Sequence, residues 1–230
     1  MATATKTRIP KPAVNGEHEA DPSGMQSVTG EMTTLRVRFI GITPLIQHST
    51  RGMDLGWDSG DESVKKTAKK SKTKEAVCEE GTYPIGDGTY YHPGESFRSA
   101  AIDAVTGTKI GKQSAPALLM SSFFVVTERP ILIDSKNGKP LTKYGTDERY
   151  GRNPSTGGAV LCVRPIWQEW ACEVEFEYDA AFIHEKSILQ SLALAGVKVG
   201  IGILRPMPSK KNKNRGKGGR YGKFRVEIVK

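Results

Sequence analysis

Between Leu35 and Ile40 the chain alternates. Leu35, Val37 and Phe39 are interleaved with Arg36, Arg38 and Ile40, and five of the six positions fit a strand with one buried face. Thr43-Pro44 breaks the pattern. From Gln47 to Gly60 the positions are polar and punctuated by Gly52, Gly56 and Gly60, which reads as a long loop. Asp61 to Glu80 has few apolar positions. It reads either as a helix with a lysine-rich face or as a disordered basic insert. Tyr83-Pro-Ile and Thr89-Tyr-Tyr flank Gly86-Asp87-Gly88, which resembles a hairpin. After Pro93, the residues Phe97, Ala100, Ala101, Ala104 and Val105 recur at helical spacing, and Gly107 ends the run. Ser122–Val126 and Pro130–Ile133 read as short strands, and Asp134–Gly158 as a second long loop rich in Gly and Lys. Ala159–Val163 is a strand candidate. Val174, Phe176 and Tyr178 alternate with Glu173, Glu175 and Glu177, a clear amphipathic strand. Ile188, Leu189, Leu192, Ala193 and Ala195 mark one side of a helix, for which Gly196 is the expected stop. Phe224, Val226 and Ile228, alternating with Arg225, Glu227 and Val229, close the pattern as a strand.

The strong elements therefore run strand (35–40), helix (95–105), strand (122–126), strand (172–178), helix (184–195), strand (223–229). This βαββαβ order predicts an α+β fold, a ferredoxin-like or RRM-like palm with two helices on one face of a four-stranded antiparallel sheet. A single such domain would occupy 32–230, with insertions at about 43–90, 134–165 and 203–222, where function would project. Residues 1–31 are rich in Pro, Gly, Ser, Thr and Ala and have no apolar period. They read as a flexible tail, or as an arm that docks on a neighbouring subunit.

Charge changes this picture most. Lys plus Arg exceed Asp plus Glu by 34 to 25, a net +9, which favours an anionic partner. Arg205 to Arg225 holds nine basic residues and no acidic one, so this segment alone equals the excess. Lys65 to Lys74 adds six lysines. The three cysteines (Cys78, Cys162, Cys172) form no CxxC pair, which argues against a disulfide framework or a structural zinc and for a reducing, cytoplasmic location. No apolar run approaches the roughly 18 residues that span a bilayer, and the N-terminus has no signal-like apolar stretch, so no membrane partner is expected. No P-loop, GxSxG or HExxH is present, and His18, His92 and His184 show no ligand spacing. No metal or cofactor is expected.

The candidate chemistry gathers near the C-terminus. A helix runs into Gly196, Gly200 and Gly202, then into Lys210, Lys211, Lys213, Arg215, Lys217, Arg220 and Tyr221 before the last strand. Glycines there permit positive φ and close backbone approach, and freed amides could meet phosphate oxygens. Arginine adds bidentate phosphate contact. Tyr221, between Arg220 and Lys223, could stack on a base. Arg164 and Arg205 each precede a proline, which holds them in extended backbone at the base of an insertion. Arg51, Lys65 and Lys66 are further candidates for the strand backbone, and Trp57 for stacking or wedging. Arg98, one turn after Glu95, is either a phosphate contact or half of an ion pair. Trp167 and Trp170 read as core.

Four stretches resemble the RAMP superfamily of CRISPR-associated proteins, in particular the Cas seven-like backbone subunit of effector complexes. They are strand one running into Ile42-Thr-Pro-Leu-Ile-Gln-His-Ser49; Tyr91-His-Pro-Gly-Glu-Ser-Phe-Arg-Ser-Ala-Ala101; Val163-Arg-Pro-Ile-Trp-Gln-Glu-Trp170; and Ala195-Gly-Val-Lys-Val-Gly-Ile-Gly-Ile-Leu-Arg-Pro206. The last looks like the glycine-rich loop of that superfamily. The resemblance implies an RRM-like palm whose insertions wrap RNA and whose copies stack head-to-tail along a guide strand, with other effector subunits as partners and a target strand as a further candidate. The basic loop after Arg205 and the lysine run at 65–74 depart from the family pattern. Where such subunits cut target RNA they use a loop aspartate, for which Asp54 is the candidate here. His48 is the candidate acid or base for a processing ribonuclease. Three functions follow as expectations: a multimerising, non-catalytic guide-RNA binder in a CRISPR-like ribonucleoprotein; an endoribonuclease of the same superfamily; or a phage-type single-stranded DNA binding or annealing protein.

Overall fold

Alternation in the first strand is realised as expected. In a computed structural model of the chain, which describes residues 32–49, 73–152, 157–207 and 218–229, Leu35, Val37 and Phe39 are buried and Arg36 stays exposed. The described residues belong to one compact unit, Glu31–Lys230. The expected N-terminal tail, residues 1–31, lies outside them. In chain order the elements are β1 (Met32–Gly41), β2 (Leu45–Ile46), α1 (Lys74–Glu80), α2 (Glu95–Ala104), β3 (Lys109–Ile110), β4 (Gln113–Ser114) and α3 (Ala115–Ser122). Then follow β5 (Phe123–Val125), β6 (Gly145–Arg152), β7 (Ala159–Trp167), β8 (Ala171–Asp179), α4 (Glu185–Lys198) and β9 (Phe224–Ile228).

The main sheet has the order β5-β8-β1-β9, with every neighbouring pair antiparallel. Its first, second, third and fourth palm strands are β1, β5, β8 and β9, and α2 and α4 are the crossovers. This is the ferredoxin-like arrangement that the βαββαβ order predicts. A second sheet, β2-β7-β6, is built from the insertions.

Phe39 on β1 is the hub of the core. Its ring stacks on Phe97 of α2 with centroids 4.1 Å apart and meets Phe224 of β9 at 5.3 Å and Phe176 of β8 at 6.2 Å, both edge-on. One side chain thus ties a helix to three strands by aromatic contacts. Trp167 and Trp170 are buried, as read from the sequence. Trp170 Nε1 donates to the Thr43 carbonyl at 2.9 Å.

Four sequence readings need correction. Asp134–Gly158 is not loop throughout: β6 lies within it and pairs with β7 from Gly145↔Ile166 to Arg152↔Ala159. The β6 sequence is nearly all polar, so no apolar period announced it. β7 itself extends to Trp167, beyond the expected end at Val163. Pro130–Ile133 makes isolated bridges, Tyr91↔Ile131 and Ile133↔Ala171, rather than a named strand. Finally, Gly196 does not stop α4, which continues to Lys198. A Cβ at Gly196 would lie 2.0 Å from the Phe224 carbonyl oxygen, so the glycine lets β9 pack on the helix. The element α3 was not foreseen either. It is eight residues long and apolar on most sides, too short and uniform to show a helical period.

Replacing the hub removes contacts to all its partners and leaves a cavity. Phe39→Ala is expected to lower unfolding stability by about 3–5 kcal/mol, read from urea denaturation, with Phe39→Leu losing distinctly less.

Candidate nucleic-acid interface

The candidate interface is assembled around the two residues of β2. α4 ends at Lys198 with Val199 as its C-cap, and Gly200, at φ +67°, turns the chain out of the helix. Gly202, at φ +72°, then passes so close to β2 that a Cβ there would lie 2.5 Å from the Ile46 carbonyl oxygen. Ile203 N–H donates to that same carbonyl at 2.9 Å. On its other side β2 pairs with β7 through Leu45↔Trp167 and Ile46↔Ile166.

From here the chain forms a two-legged ribbon. Residues 201–205 run out and 218–222 run back. They are joined by Ile201 N–H to the Gly222 carbonyl (3.0 Å), Tyr221 N–H to the Leu204 carbonyl (3.2 Å) and Gly219 N–H to the Arg205 carbonyl (2.9 Å). The legs are too close for side chains between them: a Cβ on Gly222, at φ +67°, would sit 1.9 Å from the Ile201 carbonyl oxygen. Leu204 holds φ 56°, the left-handed region that costs a non-glycine residue about 1–2 kcal/mol. The returning leg is anchored by Gly222 N–H to the Pro44 carbonyl (2.8 Å) and Lys223 N–H to the Thr43 hydroxyl (2.9 Å).

Several of the amides expected to be free at this turn are used by the protein itself. Gly200 N–H donates to the Ala195 carbonyl at 2.8 Å, and the Ile201 and Ile203 amides are also used within the protein. The glycines' positive φ and close approach stand. Their ligand is the chain itself.

Side chains decorate this frame. Arg205 and the exposed Arg220 stand on opposite legs, and an Arg205 Nη2 lies 4.0 Å from an Asp103 carboxylate oxygen on α2. Arg164 lies on β7 in register with Asp147 on β6. Tyr221 is half-buried under Arg149 of β6, whose guanidinium carbon sits 4.8 Å from the ring centroid. Arg149 Nη2 also donates to the Tyr221 hydroxyl, and Nε donates to Asp147 Oδ1 at 2.8 Å. The Tyr221 hydroxyl and Asp147 both raise the Arg149 pKa, so the guanidinium is held charged. Sequence reading missed Arg149 and Asp147, because β6 had been read as loop. The nearest available signal was the arginine–tyrosine pair Arg149-Tyr150 among polar residues.

Arg98 is drawn into the scaffold. Nε donates to the Phe123 carbonyl at 2.5 Å, Nη2 to the Met120 carbonyl at 2.9 Å and Nη1 to Glu95 at 2.7 Å. The ion pair read from the sequence is present, and the same side chain clamps α2 to the end of α3. His48 is exposed just after β2. Asp54, Arg51, Trp57, Lys65, Lys66, Lys210, Lys211, Lys213, Arg215 and Lys217 lie outside the described residues. Among those described, no group of three His, Cys, Asp or Glu side chains is placed to hold a metal, and no helix is long and apolar enough to cross a membrane.

RRM proteins bind RNA with aromatics on the sheet face opposite the helices. Here that face carries Arg36 and Arg38 opposite Glu175 and Glu173, with Glu177 and Glu227 beside them. Arg36 Nε pairs with Glu175 at 2.6 Å. The face repels a phosphate chain as much as it attracts one and offers no stacking row on β1 or β8. Arg149, Arg164, Arg205 and Arg220 lie on the insertions instead.

Beneath the interface is a buried polar contact. Gln47 Nε2 donates to the Tyr91 carbonyl (2.8 Å) and to His92 Nδ1 (3.2 Å), so the neutral ring carries its proton on Nε2. His92 Nε2 and Gln47 Oε1 are buried without partners. Burial pushes the His92 pKa down from 6.5 to about 3.

No family model matches the chain, and no curated protein matches it. Among solved structures, it resembles a chain in the cryo-EM structure of the Type III-B Cmr-beta bound to cognate target RNA, at 12% identity and TM-score 0.49 over 86% of this chain. It spans 61% of that chain's length. It also resembles Cmr6 from Pyrococcus furiosus, at 8% identity and TM-score 0.37, covering 86% of this chain and 98% of that one. The fold assignment rests on strand order and register.

Two outcomes follow. Because His92 binds a proton more readily unfolded than folded, stability is full above pH 6.5 and falls as pH drops toward 3. Chemical denaturation across pH 7 to 4 should show wild type losing up to about 1.4 kcal/mol per pH unit below 6.5 relative to His92→Gln. Gly202→Ala forces a side chain into the Ile46 carbonyl. It should lower the melting temperature and expose the ribbon to limited proteolysis, whereas Gly138→Ala, where nothing lies within 4 Å of a Cβ, should do so far less.

Proposed function

We propose that this chain is an RNA-binding subunit of RAMP type that grips single-stranded RNA largely through phosphates, without cutting it. The observation that carries the reading is the convergence on β2. The four stretches that resemble the superfamily, far apart in sequence, meet there through Gln47 to Tyr91 and His92, Trp170 to Thr43, β2 to β7, and Ile203 to Ile46. The same junction holds the base of the most basic segment in the chain.

On this reading the palm is the scaffold and the ribbon is the grip. Arg164, Arg205 and Arg220 neutralise phosphates along the strand, joined by the lysines and arginine of 210–217. Gly200 and Gly202 shape the ribbon. Tyr221 meets a base. Arg51, Trp57, Lys65 and Lys66 extend the contact from the first insertion, and copies of the chain stack head-to-tail on a guide RNA beside other effector subunits. The palm domain spans 32–230, preceded by a tail at 1–31, in a cytoplasmic ribonucleoprotein of antiviral defence. Arg98, with Nε, Nη1 and Nη2 engaged inside the fold, serves the scaffold.

Electrostatic gripping has a definite salt signature. Neutralising about five phosphates of a single strand should weaken binding about 10²-fold between 50 and 200 mM salt. Fluorescence anisotropy with a labelled single-stranded RNA reads this directly. The Arg164→Ala/Arg220→Ala double variant should weaken binding to all sequences alike and flatten the salt slope by about 1.4. Tighter binding to DNA than to RNA at fixed salt would favour the annealing-protein reading. Cleavage abolished by His48→Ala or Asp54→Ala would replace the proposal with the endoribonuclease.

A further inference from the structure

Arg149 is unlike the other basic residues of the interface. Nε and Nη2 both lie 2.8 Å from Asp147 Oδ1, and Nη2 also reaches the Tyr221 hydroxyl. Asp147 is only 8% exposed, and its Oδ2 is buried with no partner. A buried carboxylate with half its acceptors unsatisfied depends on the cation beside it. Arg149 therefore cannot swing out to a phosphate without stranding Asp147. Its guanidinium carbon is held over the Tyr221 ring, 4.8 Å from the centroid, while its side chain remains 42% exposed. Planar guanidinium and aromatic surfaces are what unstacked bases lie against. Arg164 lies across from Asp147 in the β6–β7 pairing and Arg220 precedes Tyr221 in the chain, so two further positive charges border the pair.

We infer that Arg149 and Tyr221 form a preassembled platform on which one nucleobase of the bound strand stacks, and that Asp147 is the positioning residue that keeps Arg149 over the ring. This deepens the RNA-binding reading and rests on it. The platform adds a base contact to an otherwise phosphate-directed grip. It tolerates any base, because every base has a π-face.

The test compares a labelled single-stranded RNA with a ribose-phosphate strand of equal length lacking bases, by anisotropy across a salt series. Wild type should prefer the RNA over the abasic strand. Tyr221→Ala should weaken RNA binding by about 5- to 150-fold and leave abasic binding and the salt slope nearly unchanged. Arg149→Lys keeps the charge but not the plane, and should behave likewise. Tyr221→Phe keeps the ring and should retain most of the preference. Asp147→Asn releases Arg149. The preference should shrink and the salt slope should steepen by about 0.7, one added phosphate contact, which a merely structural role for Asp147 would not produce. Melting curves confirm that each variant is folded. If the variants lose RNA and abasic binding equally, or lose neither, the platform is wrong while the RNA-binding reading survives. If wild type binds neither strand, the RNA-binding reading falls and the platform with it.

Discussion

The close approach of Gly202 to the Ile46 carbonyl is the constraint from which the candidate interface hangs. β2 is only two residues long, yet it and its flanking residues satisfy partners from four directions. β7 pairs along one edge, the outgoing and returning legs of the ribbon bond to Ile46 and Pro44, Trp170 bonds to Thr43, and Gln47 reaches the start of α2. Buried backbone groups must find partners, and here a residue with no side chain is what lets them. A Cβ at 202 would push the ribbon off β2, and Arg205, Arg220 and Tyr221 would lose their fixed positions.

This junction also explains why the charge sits where it does. The palm sheet spends its outward face on arginine–glutamate pairs, which hold strands in register and leave a surface of mixed sign. The helical face is filled by the aromatic cluster around Phe39. Neither face is suited to a polyanion, so the basic residues are carried on segments inserted between palm elements. Segments of this kind can be long and highly charged without disturbing the core, provided their bases are anchored. Glycine packing at one end, and the Arg149–Tyr221 contact from the second sheet at the other, supply the anchoring.

Most of the palm was legible because its elements carry clean periods. β1 and β8 alternate apolar and charged residues, and α2 and α4 place small and branched apolar residues three and four apart. Each period reports a buried face, so strand order and fold class followed from simple counting. The insertion sheet was illegible for the converse reason. β6 has a polar sequence and becomes a strand only because β7 offers it a partner. The turn residues at 200 and 202 were correctly read as needing positive φ, but the Gly200 and Ile203 amides go to Ala195 and β2 instead of to a ligand, which no local pattern could indicate.

The sequence by itself determined the βαββαβ palm, the position of the insertions and the concentration of positive charge before the last strand. These are properties of local period and composition. Only the tertiary structure decided that four distant motifs meet around one two-residue strand, that Gly196 packs a helix instead of ending it, and that Arg98 belongs to the scaffold. It also decided that Arg149 and Asp147 stand beside Tyr221. Those facts depend on which residues meet across long stretches of chain, and pairing at a distance leaves no period in the sequence to be read.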